Sequence, residues 1–536
     1  MRRDLAGLAL ERRVAALMAP CARPGSPGWT VGVVRDGALV LHAHAGLASL
    51  EHGVPIGPET RFRIASVTKQ FTCAAILLLA REGRLSVEDE VRAHLPDLPA
   101  WEGGARITLD HLMRNCSGLR DMLELMRMGG ADLSLPCRRE DLLAAIRRST
   151  RLNFAPGTRF LYSNTNFLLL GLVVERVAGE PLGAFLERRI FAPLGMTRTR
   201  LTESTAEPVP GLATGYLPDG EGFLRAPHAF PLGGEGGLVS CVEDLALWER
   251  NFAAGVVGGT ALGEELLRQA PFANGRMNGY ARGLEATRYR GLRTAGHGGL
   301  WPGFKTCFLR VPERVLAVIA IANHGGLDVH HLAHQVLDAA VEGEPGVHPL
   351  PAPPPRGTLE RLAGRWLDRE GGATLDLWLD AATGEPMARM HGVPFALAPT
   401  GDGRLAARRG AFEFTLTPGE QAIEIETDAG QVATFHRVAA EGAALPAGLP
   451  GRYACAELGA AWIIGPDHAL RIDGPLVKAG PCRLEPVEGE VFRAHLPGTL
   501  FPTWYDARAR RDAAGRVAAL SVSGARARDL LFNRED

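Results

Sequence analysis

A serine and a lysine three residues apart, Ser66 and Lys69 in RIASVTKQF (63–71), are the residues whose types and spacing best suit covalent chemistry. The chain has 59 basic residues but only three lysines, so arginine serves wherever a fixed charge suffices. Arginine keeps its proton in proteins, whereas a buried lysine can be held neutral and act as a base. The apolar run that follows predicts a helix to about Arg81 and a stop near Gly83. Both side chains then share a face at the positive helix end, roughly 5–6 Å apart at Cβ. A serine so placed can be the nucleophile and the lysine its activating base. With twelve serines and three lysines, S-x-x-K is expected by chance roughly 0.1 times, which favours this over a surface pair.

Two more patterns extend the constellation. Y-x-N occurs at Tyr162 and Asn164, and six tyrosines and nine asparagines also make it a roughly 0.1-fold chance event. A phenol beside a lysine is expected to be partly ionised by that charge and to shuttle the serine proton. The amide can hold the lysine and a substrate carbonyl. The third is HGG at 297–299, a glycine-flanked entrance to a strand in a predicted hairpin. There Gly299 admits substrate to the backbone, and the N–H groups of Ser66 and Leu300 can form an oxyanion hole. A second HGG, at 324–326, leaves the next strand, and His324 is read as structural.

Elements must bring these residues together. The chain of 536 residues is too long for one core. GEPGVHPLPAPPPRG (343–357) is expected to be an extended connector that cannot sustain a helix or a central strand. Before it, helical and strand-like runs alternate. After it, short alternating runs such as TLDLWLD and AIEIETD predict antiparallel strands. LAGRW (362–366) returns as LPGRY (449–453), 87 residues on, which points to two small β-barrels. The expected division is a catalytic domain 1–342, a linker 343–357, and barrels 358–440 and 445–536.

Composition narrows the function classes. The apolar fraction of 46%, charged fraction of 22% and net charge of −1 lack the basic excess of a nucleic-acid partner. The longest apolar runs, CAAILLLA and FLLLGLVV, are too short to span a bilayer. Asp4, Glu11, Arg12 and Arg13 interrupt any signal-peptide core, so the N-terminus reads as an amphipathic helix with Leu10, Val14, Leu17 and Met18 on its apolar face. Eight scattered cysteines without C-x-x-C suit a reducing, cytoplasmic compartment. A small peptide or amide substrate is expected, with no cofactor, metal, nucleic-acid or membrane partner. Homodimerisation is left open.

The three motifs in this order resemble the serine β-lactamase and penicillin-binding superfamily, particularly its class C-like branch. The resemblance extends over ITLDHLMRNCSGL (107–119), PGTRFLYSNTNFLLLGLVVERVAG (156–179), IFAPLGMTRT (190–199) and GGLVSCVEDLALW (236–248), covering most of 30–335. It implies a multidomain α+β protein, with a β-lactamase/transpeptidase-like α/β domain followed by two antiparallel β-barrels. Ser66 would be acylated, Lys69 and Tyr162 would be the acid/base pair, and Asn164 would position. His297 would replace the family's usual lysine, and a mostly neutral histidine makes carboxylate-bearing substrates less favoured. A branch with histidine here and two barrels releases D-amino acids from peptide N-termini. Its substrate ammonium needs a carboxylate, for which Glu235 is the candidate, with a solvated loop glutamate as the plain alternative. The resemblance also implies a loop of the last barrel reaching the site, sought in IDGPLVKAGPCR (472–483) or HLPGTLFPTW (495–504). Alternatives are a broad esterase or D,D-peptidase and a penicillin-type sensor.

Overall fold

The computed structural model describes residues 2–535 except 228–232, 382, 408–412, 428, 440–441, 477–481 and 498–502. Its first part is built on a six-stranded antiparallel sheet in the order Glu285–Tyr289, Leu292–Trp301, Phe304–Val311, Leu316–Ala322, Trp29–Arg35, Ala38–Ala45. The strand Leu316–Ala322 is apolar at every position because both of its faces are covered. Leu316, Val318 and Ala320 pack with Val14 and Met18 of the N-terminal helix Arg2–Met18 and with Val336 of the helix Val329–Ala340. Ala317, Ile319 and Ile321 face the opposite way, into the helical core. The amphipathic N-terminus expected from sequence is therefore one of two helices closing the sheet's outer face.

On the inner face lie the helices Lys69–Arg81, Asn164–Ala178 and Val242–Ala254. The first two carry the apolar runs CAAILLLA and FLLLGLVV, which are hydrophobic on all sides because both helices are buried on nearly all sides. No helix among the described residues is long and apolar enough to cross a membrane.

The segment after Val341 passes through turns and then the prolines without regular secondary structure, and forms the helix Arg356–Leu362 directly behind Pro355. The stretch read as unable to hold a helix thus ends in a helix start, where proline's fixed φ and missing N–H cost nothing. Two antiparallel meanders follow, of nine and eight strands, and each folds back so that its first strand pairs with both its second and its last. Gly364–Asp368 opens one and Gly451–Cys455 the other, at the two copies of the repeat. Trp366 Nε1 donates to the carbonyl of Leu362 (2.9 Å), and Tyr453 Oη to that of Leu449 (2.7 Å). The same i−4 contact in both copies supports duplication of a barrel-like unit.

Candidate active site

Ser66 lies in a 3₁₀ turn, Ala65–Thr68, that leads straight into the helix beginning at Lys69. Ala65 holds φ of +48°, a conformation that costs a non-glycine residue energy and turns the serine toward the cleft. Lys69 is completely buried, and its Nζ contacts Ser66 Oγ at 3.0 Å, Asn164 Oδ1 at 3.0 Å and the backbone carbonyl of Glu235 at 2.5 Å. Burial lowers its pKa to about 7, with nearby Arg526 acting in the same direction against the raising influence of Glu235.

The acceptors around the amine determine what it does when neutral. Asp121 Oδ2 accepts both the backbone N–H (2.7 Å) and the Nδ2 (2.9 Å) of Asn164, so the amide is oriented with Oδ1 toward Lys69. That oxygen and the Glu235 carbonyl can only accept, so they take the two hydrogens of a neutral amine. The lone pair of the neutral amine is then left for the Ser66 hydroxyl, an arrangement that can draw a proton from it.

Tyr162 is buried beside them, its ring centroid 4.8 Å from Lys69 Nζ and its phenol in hydrogen-bond contact with Ser66. The expectation of a partly ionised phenol is corrected here. Burial pushes the Tyr162 pKa well above the ordinary phenol value, with Arg526 the main influence pulling it back. The phenol is therefore protonated, able to relay a proton, and Lys69 is the group that loses one.

His297 is buried inside the strand Leu292–Trp301, not at its entrance as the hairpin reading expected. Its Nδ1 lies 2.5 Å from the Gly298 carbonyl, which can only accept, so Nδ1 carries the hydrogen and Nε2 accepts from Tyr280 Oη at 2.8 Å. Burial, reinforced by Lys69, lowers its pKa to about 3. It is a neutral ring that supplies no charge. The edge strand Glu285–Tyr289 pairs with Leu292–Gly296, so among the described residues 297–301 have no strand partner on that side. A Cβ on Gly299 would sit 2.3 Å from the Ile64 carbonyl oxygen, so glycine is what lets this strand approach the nucleophile turn. Leu300 follows with an exposed side chain at the open edge.

Glu235 is buried at 5% exposure, and its Oε1 accepts from the N–H of Gly233 at 2.9 Å. Its Oε2 has no hydrogen-bond partner among the described residues, and burial raises its pKa. His324 stands away from the centre and packs edge-on against Phe223.

Three contributors carried no local signal. Asp121, Tyr280 and Arg526 act only through contacts with residues distant in sequence. Of the two loop candidates, 472–483 reaches the helix Met122–Met128, where a Cβ on Gly474 would lie 2.1 Å from the Gly129 carbonyl. Residues 477–481 of that loop and 498–502 of 495–504 lie outside the described residues. The turn 524–529, between the strands Val517–Ser523 and Leu530–Glu535, is a segment of the second barrel that reaches the site. It places the Arg526 guanidinium 4.8 Å from the Tyr162 ring centroid and 3.8 Å from Asp121.

The chain matches known proteins over much of its length. The Beta-lactamase family matches residues 10–341. A D-aminopeptidase of Cereibacter sphaeroides is 31% identical over 488 residues, spanning 87% of each chain. One of Brucella ovis is 30% identical over 524 residues, spanning 95% of this chain and 96% of its own. The structure of D-amino acid amidase from Ochrobactrum anthropi SV3 complexed with L-phenylalanine superimposes with a TM-score of 0.52 at 26% identity, covering 62% of this chain and 98% of that one.

Proposed function

The chain belongs to the Beta-lactamase family of hydrolases, and from that premise we propose that it is a serine hydrolase releasing N-terminal D-amino acids from peptides, amides or esters. The observation that carries the reading is the buried Lys69 amine, whose two acceptors leave its lone pair for Ser66 Oγ. Relatives named D-aminopeptidase, matched over 87% and 95% of this chain, support the choice of substrate.

In this mechanism Ser66 Oγ bonds to the acyl carbon as its proton passes to Lys69 Nζ. The negative charge on the former carbonyl oxygen is met by the N–H groups of Ser66 and Leu300. The proton then travels through the Tyr162 hydroxyl to the leaving nitrogen, the C–N bond breaks, and the acyl group remains as an ester on Ser66. Water repeats the sequence in reverse roles, its proton returning to Ser66 Oγ as the acid leaves. The carboxylate proposed for the substrate ammonium is Glu235, whose Oε2 is buried without a hydrogen-bond partner among the described residues.

Paired D- and L-alanine p-nitroanilides test the reading. The wild type is expected to hydrolyse the D form selectively, Ser66→Ala to lose turnover, and Glu235→Gln to raise KM for the free amine but not for an N-acetylated ester. Equal rates on both enantiomers, or full turnover by Ser66→Ala, would overturn it.

A further inference from the structure

On the sheet side the residue facing the site is a neutral, buried histidine bonded to Tyr280 and Gly298, which supplies no charge. A cation arrives from the opposite direction. Arg526, on the 524–529 turn of the second barrel, lies over the Tyr162 ring at 4.8 Å with its side chain 27% exposed. Its contact with Asp121, at 3.8 Å, is beyond hydrogen-bond length. Among the described residues its guanidinium makes no hydrogen bond, so its five donors remain available to a ligand.

The turn that carries Arg526 is built into the catalytic domain. Glu124 Oε1 and Oε2 accept the N–H groups of Ala525 (3.0 Å) and Arg526 (2.9 Å). The Arg526 carbonyl accepts from Asp121 N and Asn153 Nδ2, both at 3.2 Å. Arg528 N donates to Asn153 Oδ1 (2.8 Å), and Arg120 Nη2 donates to the Arg528 carbonyl (2.8 Å). Gly524 admits this contact, since a Cβ there would lie 2.2 Å from Glu124 Oε1. The backbone is held by six hydrogen bonds; the guanidinium, resting on the Tyr162 ring and 3.8 Å from Asp121, is held by none among the described residues.

The place of Arg526 on the Tyr162 ring bears on what it can bind. The Tyr162 hydroxyl contacts Ser66 and is the group that hands the proton to the leaving nitrogen, so the leaving group lies beside this phenol. When that group is a free amino acid, its carboxylate carbon is two bonds from the nitrogen, within about 2.5 Å by covalent geometry. We propose that Arg526 binds the carboxylate of the leaving amino acid, so that the second barrel selects substrates whose leaving group is anionic. A guanidinium suits this role because its planar donors meet both oxygens of a carboxylate at once. This reverses the expectation drawn from His297 alone, that carboxylate-bearing substrates would be disfavoured. For peptides the inference rests on the D-aminopeptidase reading.

The test compares leaving groups with and without a carboxylate. D-alanylglycine is set against D-alanylglycinamide, and 3-carboxyphenyl acetate against phenyl acetate. The ester pair carries a plain acetyl group, so it reads the cation even if D-alanyl compounds are not substrates. Failure of the D-alanyl pair alone would overturn the function proposed above and leave the ester ratio to decide this inference. The wild type is expected to favour the carboxylate member of each pair by about tenfold or more in kcat/KM, chiefly through KM, less so at high salt. In Arg526→Ala and Arg526→Gln that ratio should fall toward one, and Arg526→Lys should restore part of it. A wild-type ratio near one, a ratio that survives in both neutral variants, or loss of all turnover in both would overturn the proposal.

Discussion

At the scale of single residues, the proposed chemistry depends on one amine being neutral near physiological pH. Lys69 is deprived of water, and its remaining contacts are acceptors that a neutral amine can satisfy while still facing Ser66. Because the base is the deprotonated form, activity falls as pH drops through the lowered pKa of about 7. The expected profile of kcat/KM on a D-alanine anilide rises about tenfold per unit below that value and levels above it. A flat profile between pH 5 and 8 would contradict the assignment. Lys69→Arg should be inactive at every pH, since a guanidinium does not deprotonate. Ser66, Lys69, Tyr162 and Asn164 were legible in the sequence because their types are scarce there and their spacing is local. Asp121 and Tyr280 were not, since each acquires its role by touching a residue 43 or 17 positions away.

Elements set the distances between those residues. The strand Leu292–Trp301 continues past the end of its outer partner, which leaves 297–301 open, and glycine at 299 lets it close on the turn that holds Ser66. Gly299→Ala places a methyl group against the Ile64 carbonyl, a backbone group that cannot step aside, and 3.0 Å from Thr306 Cβ. A displacement of even about 1 Å between strand and nucleophile can cost on the order of 100-fold in rate. Gly299→Ala is therefore expected to lose about that much kcat/KM while its far-ultraviolet dichroism matches the wild type; wild-type kinetics would show that the strand does not form the substrate edge. The glycines and the strand were both readable in the sequence. Their register was not, because a strand's starting point depends on which neighbour pairs with it.

At the scale of the molecule, the barrels are joined to the catalytic centre. The helix Met122–Met128 divides its side chains, with Met122 and Met126 in the helical core of the catalytic domain and Leu125 and Met128 in the core of the second barrel. Trp462 Nε1 of that barrel donates to the Met128 carbonyl at 3.0 Å. Leu161, the neighbour of Tyr162, packs in the core of the first barrel together with Ala525 of the Arg526 turn. The barrels are fastened to each other by Arg493, which donates to both oxygens of Asp376 at 2.8 and 2.9 Å. Leu125→Ala should therefore cost about 2–5 kcal/mol of stability, read by denaturant unfolding, although the residue touches no substrate. Its effect is expected on the catalytic domain and the second barrel in one transition. Two separated transitions in the wild type would show that the shared helix does not couple them.

The sequence alone singled out Ser66, Lys69, Tyr162 and Asn164, which the structure brings together, the succession of a mixed domain and two barrel-like sheets, and the repeat at 362 and 449. These are carried by residue type, local spacing and hydrophobic period, all of which act over a few positions. Only the tertiary structure decided that the phenol stays protonated, that His297 is a neutral partner of Tyr280, and that the second barrel brings Arg526 to the site. Burial and contact between distant segments produce those properties. The string SGARARD contains the arginine and the turn, but the surface it meets is assembled from Asp121, Glu124 and Asn153, some 370–400 residues earlier in the chain.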